Sequence, residues 1–163
     1  MSATDGFLAN NARYAEQFSK AQTPLPPGKQ SALVVCMDAR LETGRMLGLE
    51  EGDAHVIRNA GGVVTDDVLR SLVISQRLLG TREIILVHHT DCGMLTFKDD
   101  DVKAGIEADT GLRPSFAFEA FPDLEEDVRQ SVRRIQACPF IPVKDQIRGF
   151  VYDVETGRLN EVS

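Results

Sequence analysis

Ser31-Ala32-Leu33-Val34-Val35-Cys36-Met37-Asp38-Ala39-Arg40 joins an unbroken apolar run to a thiol, a carboxylate and a guanidinium. The run predicts a strand over about Ser31 to Cys36. Its continuous apolar character suits a parallel strand covered on both faces. A second stretch has the same grammar: Ile84-Ile85-Leu86-Val87, within a strand from Glu83 to His88, leads into His89-Thr90-Asp91-Cys92-Gly93. If the two strands are neighbours in one sheet, Cys36, His89 and Cys92 meet at its edge.

The rest of the chain reads as the frame for these two ends. A helix capped by Asp5 runs to about Lys20, with Phe7, Leu8, Asn11, Tyr14, Ala15 and Phe18 on one face. It either lies on its own domain or, set off by the stiff segment 23–28, packs on a partner subunit. A short helix is expected near Leu41 to Leu47 and a second strand from Ala54 to Arg58. Gly61 and Gly62 then allow close backbone approach. Thr65 caps a helix with Val68, Leu69, Leu72, Val73, Gln76 and Leu79 inward, stopped by Gly80. Further helices are expected over Lys98 to Asp109 and Asp123 to Ala137, with an irregular aromatic segment, Pro114 to Phe121, between them. A strand from Gly149 to Val154, a turn at 155–157 and a strand from Arg158 to Val162 end the chain. Strands alternating with helices imply an α/β layer fold with a late hairpin, in one domain spanning 1–163.

Bulk properties exclude several classes. A net charge of −7 opposes general nucleic-acid or anionic-membrane binding, though a locally positive pocket remains compatible with it. No apolar run approaches the length of a membrane span. Residues 1–14 lack the basic and apolar regions of a secretory signal. Three cysteines, an odd number, point to a reducing cytoplasm and to ligands or core residues.

Cys36, His89 and Cys92 are the candidate ligands of a zinc ion, which takes thiolates and imidazoles tetrahedrally and, when catalytic, leaves one position free. Each cysteine could instead be a small buried hydrophobe, which is the reading adopted for Cys138. A thiol-redox role is open to Cys36 and Cys92, but neither sits in a Cys-x-x-Cys pair. His88, pointing opposite to His89, is expected to be a core histidine or a donor behind the ligands. His55 is also expected to be structural, and Asp91 a loop or helix-start residue. Asp38 and Arg40 can pair, either as a structural ion pair or as a device in which Asp38 orients a zinc-bound group and Arg40 holds Asp38 off the metal. Released, Asp38 could become a fourth ligand and close the site.

Cys36-x-Asp38-x-Arg40 with His89-x-x-Cys92, and the segment His55-Val56-Ile57-Arg58-Asn59-Ala60-Gly61-Gly62 between them, resemble the paired signature of the β-class carbonic anhydrases. The resemblance covers residues 5 to 162 and is greatest to the short bacterial, mycobacterial-like branch. It implies four parallel strands extended by an antiparallel fifth, flanked by helices. It also implies a homodimer or pair of dimers whose N-terminal helix, residues 5–20, embraces the partner. It carries over zinc on Cys36, His89 and Cys92, and Asp38 with Arg40 as the catalytic dyad, Asp38 ligating zinc only in a closed state. The implied reaction is reversible hydration of carbon dioxide to bicarbonate and a proton by a zinc-bound hydroxide. The branch also contains carbonyl sulfide hydrolases with the same metal site, which makes that activity the alternative; a zinc-stabilised binding module is a third reading. Gln30 lies near the place of a substrate-binding glutamine of plant-type members, but its spacing to Cys36 differs.

Overall fold

A computed structural model describes residues 2–163. Its five strands are β1 (Ser31–Cys36), β2 (Ala54–Asn59), β3 (Glu83–His89), β4 (Ile147–Tyr152) and β5 (Leu159–Val162). They form one sheet in the order β2-β1-β3-β4-β5, with every pairing parallel except the final β4–β5 hairpin. The expected architecture of four parallel strands and an antiparallel edge is the one observed.

β1 and β3 are central, and all six residues of β1 are buried. Successive side chains of a strand face opposite sides. Ala32, Val34, Ile84 and Leu86 therefore pack with Val64, Val68, Leu72 and Ile135. Leu33, Val35 and Val87 pack on the other side with Leu41, Val63, Met94 and Phe121. Each fully buried aliphatic side chain of these two clusters contributes about 1.5–3 kcal/mol.

The helices are α1 (Ala3–Glu16), α2 (Thr43–Leu47), α3 (Asp66–Arg77), α4 (Asp99–Thr110) and α5 (Leu124–Ala137). α1 begins earlier than the sequence suggested. Ser2 is the cap and Asp5 the third helical residue, the two forming a reciprocal capping box. The helix also ends at Glu16, short of Lys20. None of its residues is buried, and Phe7 and Leu8 are 70% and 65% exposed. Thr65 caps α3 as expected, accepting from the Val68 amide.

α5 crosses β4 at Gly149, where a Cβ would stand 2.3 Å from Val128 Cγ1. That close approach requires glycine. β4 starts and stops two residues earlier than its apolar pattern implied. Val154 lies beyond it and gives its amide to Thr90 Oγ1 at 3.0 Å. Asp99, at the start of α4, accepts from the amides of Phe118, Glu119 and Ala120, so a single carboxylate organises the irregular aromatic segment. No described helix is long and apolar enough to cross a membrane.

Candidate active site

β1 and β3 run side by side in register, Val35 opposite Val87, so Cys36 and His89 finish at the same edge. Cys92 follows three residues after His89. The donor atoms of Cys36, His89 and Cys92 lie within 4.8 Å of one another, and all three residues are buried. Residues 60–62 pass directly over this edge. Gly62 has φ +71, and a Cβ there would meet the Cys36 amide nitrogen at 2.9 Å, the Val35 carbonyl carbon at 3.1 Å and the Val87 oxygen at 3.2 Å. The close backbone approach expected of the glycines is thus used against the site itself.

The tautomer of His89 follows from its neighbour. Its Nδ1 lies 2.8 Å from the Thr90 carbonyl oxygen, which can only accept, so Nδ1 carries a proton. Nε2 is buried and without a hydrogen-bond partner. A buried polar atom left so is costly unless something binds it. Two thiols and one outward-facing imidazole nitrogen are a donor set that fits a tetrahedral zinc ion with one position to spare.

The thiols are electrostatically unequal. A hydrogen bond from Cys92, helped by His89 and the Asp38 and Gly61 backbone, outweighs burial and brings the Cys36 thiol down to about 4. Cys92 is pushed up, first because it donates to Cys36 and then by burial. Burial lowers the basicity of His89, but the close, anionic sulfur of Cys36, with the Thr90 carbonyl and Asp38, raises it overall. One thiolate is therefore ready at neutral pH, beside a thiol that holds its proton.

Asp38 and Arg40 are paired beside this cluster. Arg40 Nε donates to Asp38 Oδ1 at 3.0 Å and Nη2 to Oδ2 at 2.8 Å, while the Arg40 amide donates to Oδ1 at 2.9 Å. These bonds hold the Asp38 carboxyl well below the usual carboxylate range and push the Arg40 guanidinium up. Asp38 Oδ2 is 3.8 Å from His89 Nε2, so the carboxylate borders the space the three donors face.

Carbonic anhydrase, the family whose sequence profile matches residues 31–159, covers this whole arrangement. Beta-carbonic anhydrase 1 of Mycobacterium tuberculosis is 64% identical over 163 residues, covering 100% of this chain and 99% of that protein. The chain belongs to the β-carbonic anhydrase family. It is a carbonic anhydrase enzyme, and the binding-module reading falls away. A crystal structure of carbonic anhydrase from Streptococcus mutans superposes with a TM-score of 0.93 at 45% identity, covering 100% and 99% of the two chains. More distantly, the carbon disulfide hydrolase of Acidianus sp. is 36% identical, over 84% of this chain and 79% of that protein.

Several residues of this β-carbonic anhydrase have roles that sequence reasoning did not assign. Arg58 donates Nε and Nη2 to the Cys36 carbonyl at 3.0 and 2.8 Å, and Nη2 to the Asp38 carbonyl at 2.7 Å. Its signal was a cation near the end of β2, just before the glycines. Asp91 is not merely a loop residue: its carboxylate accepts from Arg40 Nη1 at 2.7 Å.

His88 is fully buried, bonded through Nε2 to Asp127 on α5 at 2.7 Å and packed against Phe121. This is the core histidine of the sequence reading. It has no exposure through which to pass a proton to solvent. His55 is structural too, its Nδ1 2.8 Å from Ser75 Oγ, which in turn meets Thr81 Oγ1 at 2.7 Å. Cys138 is a buried member of the apolar core. Gln30 precedes β1, at the opposite end of the strand from Cys36.

Proposed function

We propose that this enzyme catalyses the zinc-dependent, reversible hydration of carbon dioxide to bicarbonate and a proton. The observation that carries the reading is the buried, unpartnered Nε2 of His89, within reach of two cysteine sulfurs and bordered by the Asp38–Arg40 pair. Cys36, His89 and Cys92 hold the zinc. When bound, zinc supplies the Lewis acidity that makes water acidic enough to serve as a nucleophile near neutral pH.

Asp38 accepts a hydrogen bond from the attacking water and aims its lone pair at the carbon of carbon dioxide. Arg40 fixes Asp38 and keeps it anionic. Asp38 would surrender three hydrogen bonds from Arg40 to become a fourth ligand. That closed state belongs to conditions in which the pair is broken, and structures across a pH range that always keep the pair would sink it. Apolar neighbours of the thiols, including Val63, Leu41 and Met94, suit an uncharged substrate. Bicarbonate, an anion, is less at home there, which favours its release.

The working form is a cytoplasmic homodimer, or a pair of dimers, built from a single domain over 1–163. The bare apolar face of α1 supports this reading, with Phe7, Leu8 and Tyr14 exposed and Phe18 exposed just beyond the helix. Removing residues 1–20 is expected to convert the sedimenting species to monomer; an unchanged dimer would refute the role given to the arm.

A second reading is hydrolysis of a sulfur heterocumulene, carbonyl sulfide or carbon disulfide, and the Acidianus relative supports it. All three molecules are linear, uncharged and open to the same attack at carbon. The deciding experiment measures turnover of each on zinc-verified protein near pH 7 and pH 8.5. Fast carbon dioxide turnover is expected. Sulfide release with feeble carbon dioxide turnover would keep the site and move the substrate.

A further inference from the structure

Arg40 has a second edge. While Nε and Nη2 grip Asp38, Nη1 donates to Asp91 Oδ2 at 2.7 Å and Nη2 to the Asp91 carbonyl at 3.0 Å. Asp38 stands two residues after Cys36, and Asp91 stands between His89 and Cys92. One planar cation therefore ties together the two strand ends that carry the candidate ligands.

The backbone at Asp91 is left-handed, with φ +54. Side chains other than glycine seldom adopt this conformation, and aspartate and asparagine tolerate it best. The turn carrying Asp91 is the one that returns the chain from His89 to Cys92. Its carbonyl and its carboxylate both end on the same guanidinium, so Arg40 holds the turn by main chain and side chain at once.

We propose that Asp91 is a positioning residue for the metal centre. By occupying the outer edge of Arg40, it latches the His89–Cys92 turn to the Cys36–Asp38 segment. The proposal rests on Cys36, His89 and Cys92 being the zinc ligands. A lone exposed ion pair stabilises little. Here the arginine is gripped on both edges, and the segments it joins are short and end in ligands. The consequence is read in how long zinc is kept rather than in whether the sheet folds.

The test is release of zinc from loaded full-length protein to excess chromophoric chelator, for wild type, Asp91→Asn, Asp91→Gly, Arg40→Gln and the Arg40→Gln/Asp91→Gly pair. Glycine is used because it accepts the left-handed backbone without strain. Asp91→Gly is expected to release zinc about threefold to tenfold faster than wild type. Asp91→Asn, whose amide oxygen can still accept from Nη1, falls between them. In the Arg40→Gln background the glycine adds little, since the contact it removes is already gone. Cobalt(II)-loaded Asp91→Gly shows altered visible bands, reporting a loosened ligand set.

Wild-type release by Asp91→Gly would overturn the latch. So would an equal acceleration with and without Arg40. Cys36→Ala separates the two layers of the argument. If it keeps full zinc, the ligand assignment itself fails; if it loses zinc while Asp91→Gly releases zinc as wild type does, only the latch fails.

Discussion

The guanidinium of Arg58 closes on the carbonyl of Cys36 with two hydrogen bonds, at 3.0 and 2.8 Å, and reaches the Asp38 carbonyl with a third at 2.7 Å. A side chain from β2 thus fixes the backbone just where β1 stops and the thiol and carboxylate must be presented. Arg58→Ala is expected to cost about 1–2 kcal/mol of stability and to lower turnover more than substrate affinity. Arg58→Lys, a point cation without the fork, recovers only part of this. Denaturant unfolding and steady-state kinetics on both variants check it; unchanged turnover in Arg58→Ala would deny Arg58 any role at the site.

Metal uptake should release protons in a defined pattern. Cys36 is already a thiolate at pH 7, whereas Cys92 holds its proton because Cys36 and burial push it up. Zinc binding to the metal-free protein is therefore expected to release about one proton at pH 7, the one held by Cys92. Titration calorimetry in buffers of different ionisation enthalpy measures the number. A value near zero would mean the thiol pair is not the ligand set.

Asp38 should keep its charge throughout the working range. Arg40 holds its folded-state value well below that of an unfolded aspartate, about 3.9. A depressed acid stabilises the fold fully above its unfolded value, and the contribution fades as pH falls through the folded one. Between pH 5 and 9 the Asp38 charge is then constant, and changes of turnover in that window arise elsewhere. In metal-free Arg40→Gln protein, the carboxyl signal of Asp38 should titrate close to the ordinary aspartate range. Carbon-detected NMR titration checks the shift, and an unmoved value would remove Arg40 as its cause.

Gly62→Ala should damage fold and site together. The added methyl lands 2.9–3.2 Å from three backbone atoms of β1 and β3, and φ +71 is unfavourable for alanine. A loss of about 2–4 kcal/mol is expected from strain and displaced backbone. Thermal unfolding of the metal-free form and zinc retention of the loaded form should both fall. Gly93→Ala, with nothing within 4 Å of its Cβ, serves as the comparison. Equal behaviour of the two would show that residues 60–62 are free to move away.

Local sequence determined the strands and the types of the candidate ligands. Ala32–Val35 and Ile84–Val87 are apolar without interruption, as suits a strand covered on both faces, and the thiols and imidazole follow immediately. Period and punctuation also placed the helices and the remaining strands, with errors at their ends where a capping box shifted α1 or tertiary pairing moved β4. The resemblance of the two motifs supplied the strand count, the antiparallel edge and the family, and the structure and comparisons bear these out. Tertiary structure alone decided which residues serve the three donors. Arg58, Asp91 and Thr90 lie on other strands and turns, and nothing in their local spacing says which carbonyl or carboxylate they will meet. The same holds for His88 and His89, adjacent and chemically identical, of which one faces α5 and Asp127 while the other faces two thiols. Alternation along a strand requires that they part, but only the packing of helices on each face of the sheet assigns one to the core and the other to the site.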